Sequence, residues 1–139
     1  MSDPGNVERL RAIPLFAGLD DEALALVASL FSEAEAPAGQ VIVEHGHVGS
    51  GMFLLREGTV SVQLPSGAVE LGPGEFFGEL AILADDILRT ARVRTVTPIR
   101  CLVVGRPDFL KLLQAEPQIA VAMLPVLARR LADLDERLR

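Results

Sequence analysis

The residues best suited to chemistry lie in one segment, residues 71–95, where a glycine-rich turn leads into the helical-looking run 78–83. Backbone amides exposed at such a helix start can bind an anion. Arg89 follows after a short loop, and its planar fork of donors suits phosphate oxygens, to which the Thr90 hydroxyl can add one more donor. Glu79 only accepts hydrogen bonds when ionised, so it suits a sugar hydroxyl. These residue types predict a site for a nucleotide with a free ribose hydroxyl. On spacing alone, an ordinary surface ion pair between Glu79 and Arg89 explains the pattern equally well.

The composition is that of one acidic domain. The chain has 139 residues, half of them hydrophobic, with nineteen acidic against thirteen basic residues and a formal net charge of -6. This charge repels polyanions, and the absence of Trp and Tyr removes most of the aromatic surface that stacks on single strands. The sequence therefore argues against a direct nucleic-acid partner and favours a small ligand or a protein.

Targeting and redox features favour the cytoplasm. The apolar runs are far shorter than the ~20 residues of a membrane span, so we expect no membrane insertion. The first residues have neither the basic nor the apolar region of a signal peptide. The single cysteine, Cys101, can form no internal disulfide and is expected to be a small core residue. We expect a single cytoplasmic domain over residues 1–139.

The middle of the chain predicts a sheet with tight turns. Nine of the twelve glycines lie between Gly39 and Gly78, where each can provide a turn. Strands are expected over residues 41–44, 52–57, 59–64, 89–96 and 99–104. We expect these strands to form an antiparallel, jelly-roll-like β-roll over about residues 36–105.

Helical patterns flank this roll, so the predicted fold class is α+β. Asp20 can cap a helix within an N-terminal segment over about residues 9–35. The apolar stripe of that helix consists of Leu24, Val27, Leu30 and Phe31. C-terminal helices are expected over about residues 106–139: a short one with Pro107 at its first position, and a longer one from about Pro117.

The long C-terminal helix raises two questions about packing. Pro125 removes a backbone hydrogen bond and predicts a kink that divides the helix into two pieces. An apolar stripe is formed by Leu124, Leu127, Leu131, Leu134 and Leu138. The stripe spans only about two heptads, so packing on the domain is favoured over pairing of two chains, which stays open. The charged residues Arg129, Arg130, Asp133, Asp135 and Glu136 are interpreted as a solvated face.

The segment at residues 77–91 resembles the phosphate-binding cassette of the cyclic nucleotide-binding domain family, which includes catabolite-activator-type and protein-kinase regulatory-subunit-type domains. The family pattern is F-G-E-[LI]-[AS], a short loop, then R-[TSA]-A. The matching residues are Phe77, Gly78, Glu79, Leu80 and Ala81, then Arg89, Thr90 and Ala91. The likeness extends to the turn glycines Gly39, Gly46, Gly58 and Gly74. It also includes the LARRL run at residues 127–131 in the closing helices.

This resemblance implies a role for each cassette residue. The glutamate at the position of Glu79 binds the ribose 2′-hydroxyl, and the arginine at the position of Arg89 binds the cyclic phosphate. Backbone amides near Gly78 and at Leu80 and Ala81 assist. The implied ligand is cyclic AMP or cyclic GMP, without a metal or other cofactor.

The resemblance also implies that the last helix contacts the base. Leu134 and Asp135 occupy positions where activator relatives carry hydroxyls, which makes them candidate base contacts. Threonine at the position of Thr90 is associated with tolerance of guanine. Cyclic AMP is therefore favoured, and cyclic GMP stays open.

The sequence lacks residues that two candidate enzyme classes require. Gly39, His45 and His47 match the opening of a cupin metal motif, but a third histidine and the expected glutamate are missing from the sequence. No Gly-x-Ser-x-Gly elbow of a hydrolase is present in the sequence either.

We therefore expect a regulatory domain for signal transduction that binds a cyclic nucleotide and repositions its C-terminal helix. Its output would pass to an unknown effector protein or a fused output domain, or through a homodimer formed by that helix. The alternative is the same fold without a ligand, acting as a protein-interaction module.

Overall fold

The computed structural model of the protein describes residues 4–43, 51–64, 67–78 and 92–137. In these ranges the helices are α1 (Pro4–Arg11), α2 (Asp21–Leu30), α3 (Arg106–Ala115) and α4 (Gln118–Arg137), and a 3-10 turn spans Pro14–Phe16. The strands are β1 (Ser32–Ala36), β2 (Val41–Val43), β3 (Gly51–Glu57), β4 (Val60–Leu64), β5 (Gly67–Leu71), β6 (Phe76–Phe77), β7 (Arg92–Thr95) and β8 (Ile99–Gly105).

The strands form two four-stranded sheets. The strand order is β1-β8-β3-β6 in the first sheet and β2-β7-β4-β5 in the second. Each described strand pair is antiparallel, with registers such as Leu54↔Leu102 in the first sheet and Val62↔Val93 in the second. The predicted antiparallel roll with flanking helices is confirmed.

Most of the predicted strands are present with similar bounds. The predictions at 52–57, 59–64 and 99–104 correspond to β3, β4 and β8 within one residue at each end. The end of the prediction at 41–44 and the start of the one at 89–96 lie outside the described residues. β2 covers the described part of the first, and β7 ends one residue before the end of the second.

Three short strands, β1, β5 and β6, are additional to the sequence prediction. All of β1 except its last residue, Ala36, lies in the segment of about residues 9–35 that the sequence pattern assigned to the N-terminal helical segment. Its sequence alternates small residues with Glu33 and Glu35, which is a weak strand signal, and pairing with β8 decides its conformation.

Helix α2 begins where the sequence predicts. The Asp20 side chain accepts a hydrogen bond from the Ala23 N–H over 2.8 Å, which satisfies one of the free amides of the first turn. Leu24 and Val27, in the predicted stripe, are fully buried. The cap and the apolar face of α2 are thus confirmed.

Two hydrophobic cores lie on opposite faces of the first sheet. The first core joins the helices to Met52, Leu54, Leu102 and Val104. The second core, inside the roll, includes Leu55, Val60, Phe77, Val93, Ile99 and Cys101. Along β8 the alternation of Cys101 with Leu102 assigns one residue to each core. Cys101 is 3% exposed, as predicted for a small core residue, and burial raises the pKa of its thiol.

Thr95 is a buried polar residue that holds a turn against β7. Its hydroxyl donates to the Pro37 carbonyl over 2.6 Å and accepts from the Gln40 N–H over 2.8 Å. Its own N–H and carbonyl also bond to this turn, through Gln40 and Gly39. The turn between β1 and β2 is therefore fixed to the strand that follows the candidate cassette.

Helix α4 differs from its prediction in two respects. It is one helix through Pro125, so the expected division into two pieces is wrong. Leu124 and Leu131 are 61% and 69% exposed, so the favoured packing of the leucine stripe on the domain is wrong for these two residues. Leu127 is half-buried against the first core, while Leu134 and Leu138 are not described at the side-chain level.

Membrane-spanning potential is weak in the described ranges. No single helix there combines the length and apolar character needed to cross a bilayer. Together α3 and most of α4 meet that test by length and composition only, and they are bent by 113° to each other.

Candidate functional site

The candidate site begins at the end of strand β6. This strand pairs with β3 through Phe53↔Phe77 and Leu54↔Phe76 at one edge of the first sheet. Gly78 follows with a φ of +86°, a left-handed conformation that residues with a Cβ seldom adopt. The backbone therefore turns at the residue where the anion-binding run is predicted to begin.

Phe77 anchors this strand from inside the roll. Its side chain is 3% exposed and stacks on Phe53, with 4.9 Å between ring centroids and 6° between ring planes. The partner ring of Phe53 is half-buried in the same core. The predicted site residue Phe77 is thus buried inside the roll, next to Gly78.

The inner face of the roll is apolar and partly open. Four half-buried side chains, each from a different strand, lie on it: Phe53, Val62, Val69 and Val103. Val62 and Val69 are directly paired across β4 and β5. Such a surface can contact the flat face of a base, but it offers nothing that binds phosphate.

The turn before β6 is held by hydrogen bonds. The Gly72 N–H donates to the Glu75 carboxylate over 2.7 Å, and the Gly74 N–H donates to the Leu55 carbonyl over 2.8 Å. The Leu55 N–H in turn donates to the Glu75 carbonyl over 2.9 Å. β6 is therefore fixed in register on β3 before the chain reaches Gly78.

Arg130 of α4 contacts the same strand from outside the roll. Its guanidinium donates to the Phe76 carbonyl over 2.5 Å, and its Cζ lies 4.6 Å from the centroid of the Phe76 ring. Phe76 is 2% exposed. The interpretation of Arg130 as part of a solvated face is wrong, although Arg129, Asp133 and Glu136 are exposed as expected.

Two ion pairs of the first sheet lie away from this site. Arg56 bonds Glu33 over 2.7 Å, and Arg100 bonds Glu35 over 2.9 Å, beside an open groove of about 510 Å³ lined in part by Glu57. Glu57 ends β3, whereas Phe53, the partner of Phe77, lies four residues earlier, or roughly 13 Å along a strand. The groove is therefore separate from the candidate site.

The described part of the chain contains no cluster of metal-binding side chains. No group of three His, Cys, Asp or Glu side chains there could hold a metal ion. His45 and His47, the candidates of the cupin motif, lie outside the described residues.

A sequence profile described as "Cyclic nucleotide-binding domain" matches residues 33–116. This span is more than half of the chain and includes strand β6, Gly78 and the predicted cassette. The chain belongs to the cyclic nucleotide-binding domain family. The fold and the resemblance of the cassette agree with this assignment.

Relatives in this family belong to proteins of different kinds. A cyclic nucleotide-gated potassium channel of Rhizobium etli is 39% identical over 115 residues, which cover 83% of this chain and 32% of the channel. The Thermus thermophilus catabolite activator protein has a similar structure, with a TM-score of 0.77, 34% identity and coverage of 90% of this chain and 61% of that one. The chain thus spans about a third of the channel and under two-thirds of the activator.

A third relative is close to this chain in size. It is a solved structure described with the words "A cyclic-GMP-dependent signalling pathway regulates bacterial phytopathogenesis". The two structures have a TM-score of 0.70 and 31% identity, and the match covers 83% of this chain and 95% of that one.

The structure describes part of the predicted site. Of the predicted site residues, Phe77 lies in β6 and Gly78 forms the turn that follows it. The predicted contacts Glu79, Leu80, Ala81, Arg89, Thr90 and Ala91 lie outside the described residues. Leu134 and Asp135 lie in α4, about one turn after Arg130.

Two residues at the site were not predicted from the sequence. Phe53 belongs to a predicted strand, but nothing in its spacing identifies the Phe77 stack. Arg130 is part of the LARRL run, which was a signal for family membership but not for the contact with Phe76.

Proposed function

We propose that this domain binds a cyclic nucleotide monophosphate inside the roll and acts as a sensor in signal transduction. Cyclic AMP is the favoured ligand, and cyclic GMP is a second. The observation that carries the proposal is the left-handed turn at Gly78, at the end of an anchored strand. It directly precedes Glu79 in sequence, and Arg89 follows ten residues later.

The phosphate and the ribose would be bound by groups of opposite character. Arg89 supplies a permanent positive charge and two parallel donors to the phosphate, with Thr90 and the amides of Gly78, Leu80 and Ala81 as further donors. Glu79 would accept from the ribose 2′-hydroxyl, a role that a carboxylate can fill and an arginine cannot.

The base would rest on the apolar inner face of the roll. Val62 and Val69 offer contact without hydrogen-bond selectivity, so discrimination between adenine and guanine would depend on other groups. Thr90 and the candidate base contacts Leu134 and Asp135 are the residues we propose for this selection.

The output would be a change in position of α4. Because Pro125 has no N–H, the Val121 carbonyl four residues earlier lacks its usual helical donor, which weakens the helix at this point. We infer that Pro125 acts as a hinge for the residues after it. A ligand shifts such an equilibrium only through different affinities for the two positions, which a base contact would supply.

The receiver of this signal is an effector protein or a fused output domain, or a second copy of the chain bound through α4. Val121, Leu124 and Leu131 are more than 60% exposed and lie on one side of the helix, as an interface with a partner helix requires. We infer a binding domain of the cytoplasm, not an enzyme, without membrane insertion and without direct contact to nucleic acid.

Calorimetric titration tests the binding proposal. The parent protein is titrated with cyclic AMP, cyclic GMP and 5′-AMP, and we expect binding of at least one cyclic nucleotide. Arg89→Ala should weaken that binding by roughly 2–5 kcal/mol, because the phosphate loses its charged partner. Arg129→Ala, an exposed arginine on α4, is the matched control and should bind as the parent does. Equal affinity of the Arg89→Ala variant and the parent would contradict the assigned site.

The alternative is a ligand-free interaction module, and the exposed stripe on α4 favours it. Sedimentation of the parent and of a double variant, Leu124→Glu combined with Leu131→Glu, would show whether the stripe mediates self-association. Self-association through the stripe, together with no calorimetric signal for any nucleotide, would support the alternative over the sensor.

A further inference from the structure

We propose that Arg130 is a positioning residue for the nucleotide site, acting through strand β6 from a different element of the fold. The inference rests on the proposed function and adds to it a residue outside the cassette. Its basis is the pair of contacts that one guanidinium makes with one buried residue, Phe76.

The hydrogen bond satisfies the free edge of the sheet. Among the described strands, β6 has a neighbour, β3, on one side only. The Glu75 carbonyl accepts from the Leu55 N–H, so it points towards β3. Carbonyls alternate in direction along a strand, so the next one, that of Phe76, points away from β3. Arg130 donates to this outward carbonyl, which otherwise has no strand partner in the described sheet.

The second contact requires the shape of arginine. The planar guanidinium lies over the Phe76 ring and still reaches the carbonyl of the same residue. Lysine has a compact charge that can donate to the carbonyl, but it has no flat face to cover the ring. The two contacts together fix both the backbone and the side chain of Phe76.

The position of Phe76 determines where the cassette starts. β6 is only two residues long, and Gly78 follows it immediately. A short edge strand has few ladder bonds of its own, so an added contact on its open side limits how far the following peptide can move. The amides proposed to bind the phosphate therefore start from a strand held by β3 and by Arg130.

The same contact also holds the helix. Met123 is the last buried residue among the described side chains of α4, and Val126 and Leu127 are half-buried. Among the side chains that the structure describes after Leu127, only that of Arg130 is not exposed. Moving this part of α4 would break the bond to Phe76, so strand and helix are expected to respond together.

The experiment compares Arg130→Met and Arg130→Lys, with Arg129→Met as the matched control on the exposed side of the same helix. Cyclic AMP and its 2′-deoxy analogue are titrated by calorimetry. Melting temperatures and amide hydrogen exchange at residues 76–78, without nucleotide, are measured on the same proteins.

We expect Arg130→Met to weaken cyclic AMP binding about tenfold to a hundredfold, the range for losing a hydrogen bond from a charged donor. Exchange at residues 76–78 should become faster, and the melting temperature should fall below that of Arg129→Met, because the carbonyl of buried Phe76 loses its charged donor. Arg130→Lys should recover part of the affinity. The loss should be the same factor for both nucleotides, because Arg130 acts through the strand.

Several results would overturn the inference. Unchanged exchange at residues 76–78 in Arg130→Met would show that Arg130 does not hold the strand. A penalty that depends on the 2′-hydroxyl would make Arg130 a direct ligand contact instead. Failure of the parent protein to bind any cyclic nucleotide would overturn the proposed function itself, and the exchange measurement would still report separately on the strand.

Discussion

The rings of Phe53 and Phe77 lie nearly parallel, 4.9 Å apart, and join the long strand β3 to the two-residue strand β6 from inside the roll. Phe77 immediately precedes Gly78, so this stack supports the start of the candidate site. Its loss should affect both the stability of the domain and the binding of a nucleotide.

Phe53→Leu keeps an apolar residue but removes the ring stack. We expect the free energy of unfolding to fall by about 1–2 kcal/mol, measured by urea denaturation, and cyclic AMP to bind more weakly. Phe31→Leu is the control, because Phe31 pairs with Phe16 in the first core, with 5.9 Å between centroids. It should lower stability similarly without changing affinity. A loss of affinity in both variants would indicate general destabilisation.

The role proposed for Glu79 can be separated from general damage to the site. The parent should bind the 2′-deoxy nucleotide more weakly than cyclic AMP, by roughly 1.5–3 kcal/mol for one charge-assisted hydrogen bond. In Glu79→Gln the difference between the two nucleotides should shrink, as measured by calorimetry. The same 2′-deoxy penalty in both proteins would mean that another group contacts the ribose.

Gly58 connects β3 to β4 in a conformation that only glycine adopts easily, with a φ of +90°. A Cβ there would collide with the Pro98 carbonyl oxygen and lie 2.9 Å from the Thr97 hydroxyl oxygen. We expect Gly58→Ala to lower the free energy of unfolding by more than about 2 kcal/mol. Gly72→Ala, where a Cβ would meet nothing within 4 Å, should cost much less. Comparable midpoints in thermal denaturation would contradict this explanation.

Cys101 gives the domain a pH dependence at alkaline pH. Burial raises the pKa of its thiol above the ordinary value of 9.0, so above that pH the unfolded chain releases a proton that the folded chain retains. Stability from this group is therefore complete below the ordinary pKa and is lost as pH rises towards the folded pKa. Urea denaturation between about pH 8 and about pH 10 should show a steeper decline for the parent than for Cys101→Ala. Parallel curves would rule out this origin.

The hinge proposed at Pro125 predicts a change in hydrogen exchange along α4. Adding cyclic nucleotide should change protection over residues 126–138, because the helix contacts the ligand in one position and not in the other. The part of α4 before Pro125 is the internal control, since Ile119 and Met123 are buried in the first core. If only the cassette gains protection, α4 is a fixed part of the fold.

Strands with strong local patterns could be predicted, and strands defined by their neighbours could not. β8 alternates large apolar residues between two cores, so its sequence alone indicates a buried strand. β1 and β6 are different. The small and acidic residues of β1 become a strand because β8 offers them an edge, and β6 exists only through two residue pairs with β3.

The candidate site follows the same division. A cassette motif is local in sequence, so Phe77 and Gly78 could be proposed from it, and the roles of Glu79 and Arg89 stay predictions. Arg130 and Phe76 are 54 residues apart in the sequence, and the acceptor is a backbone carbonyl. Every residue has such a carbonyl, so the residue types could not predict this contact. Heptad spacing likewise identified an apolar stripe on α4 without showing which leucines face solvent.

The first sheet is closed by strands that are far apart in the chain. β1 pairs along its whole length with β8, about 70 residues later in the chain. β8 also pairs with β3 on its other side. The ladder of β1 cannot be completed before the chain has been synthesised through Val103, and that of β3 not before Gly105. During translation, Leu24, Val27 and Met52 thus leave the ribosome well before their partners Leu102 and Val104. Such high contact order favours slow folding and makes the nascent chain a natural client for chaperones that shield apolar surface.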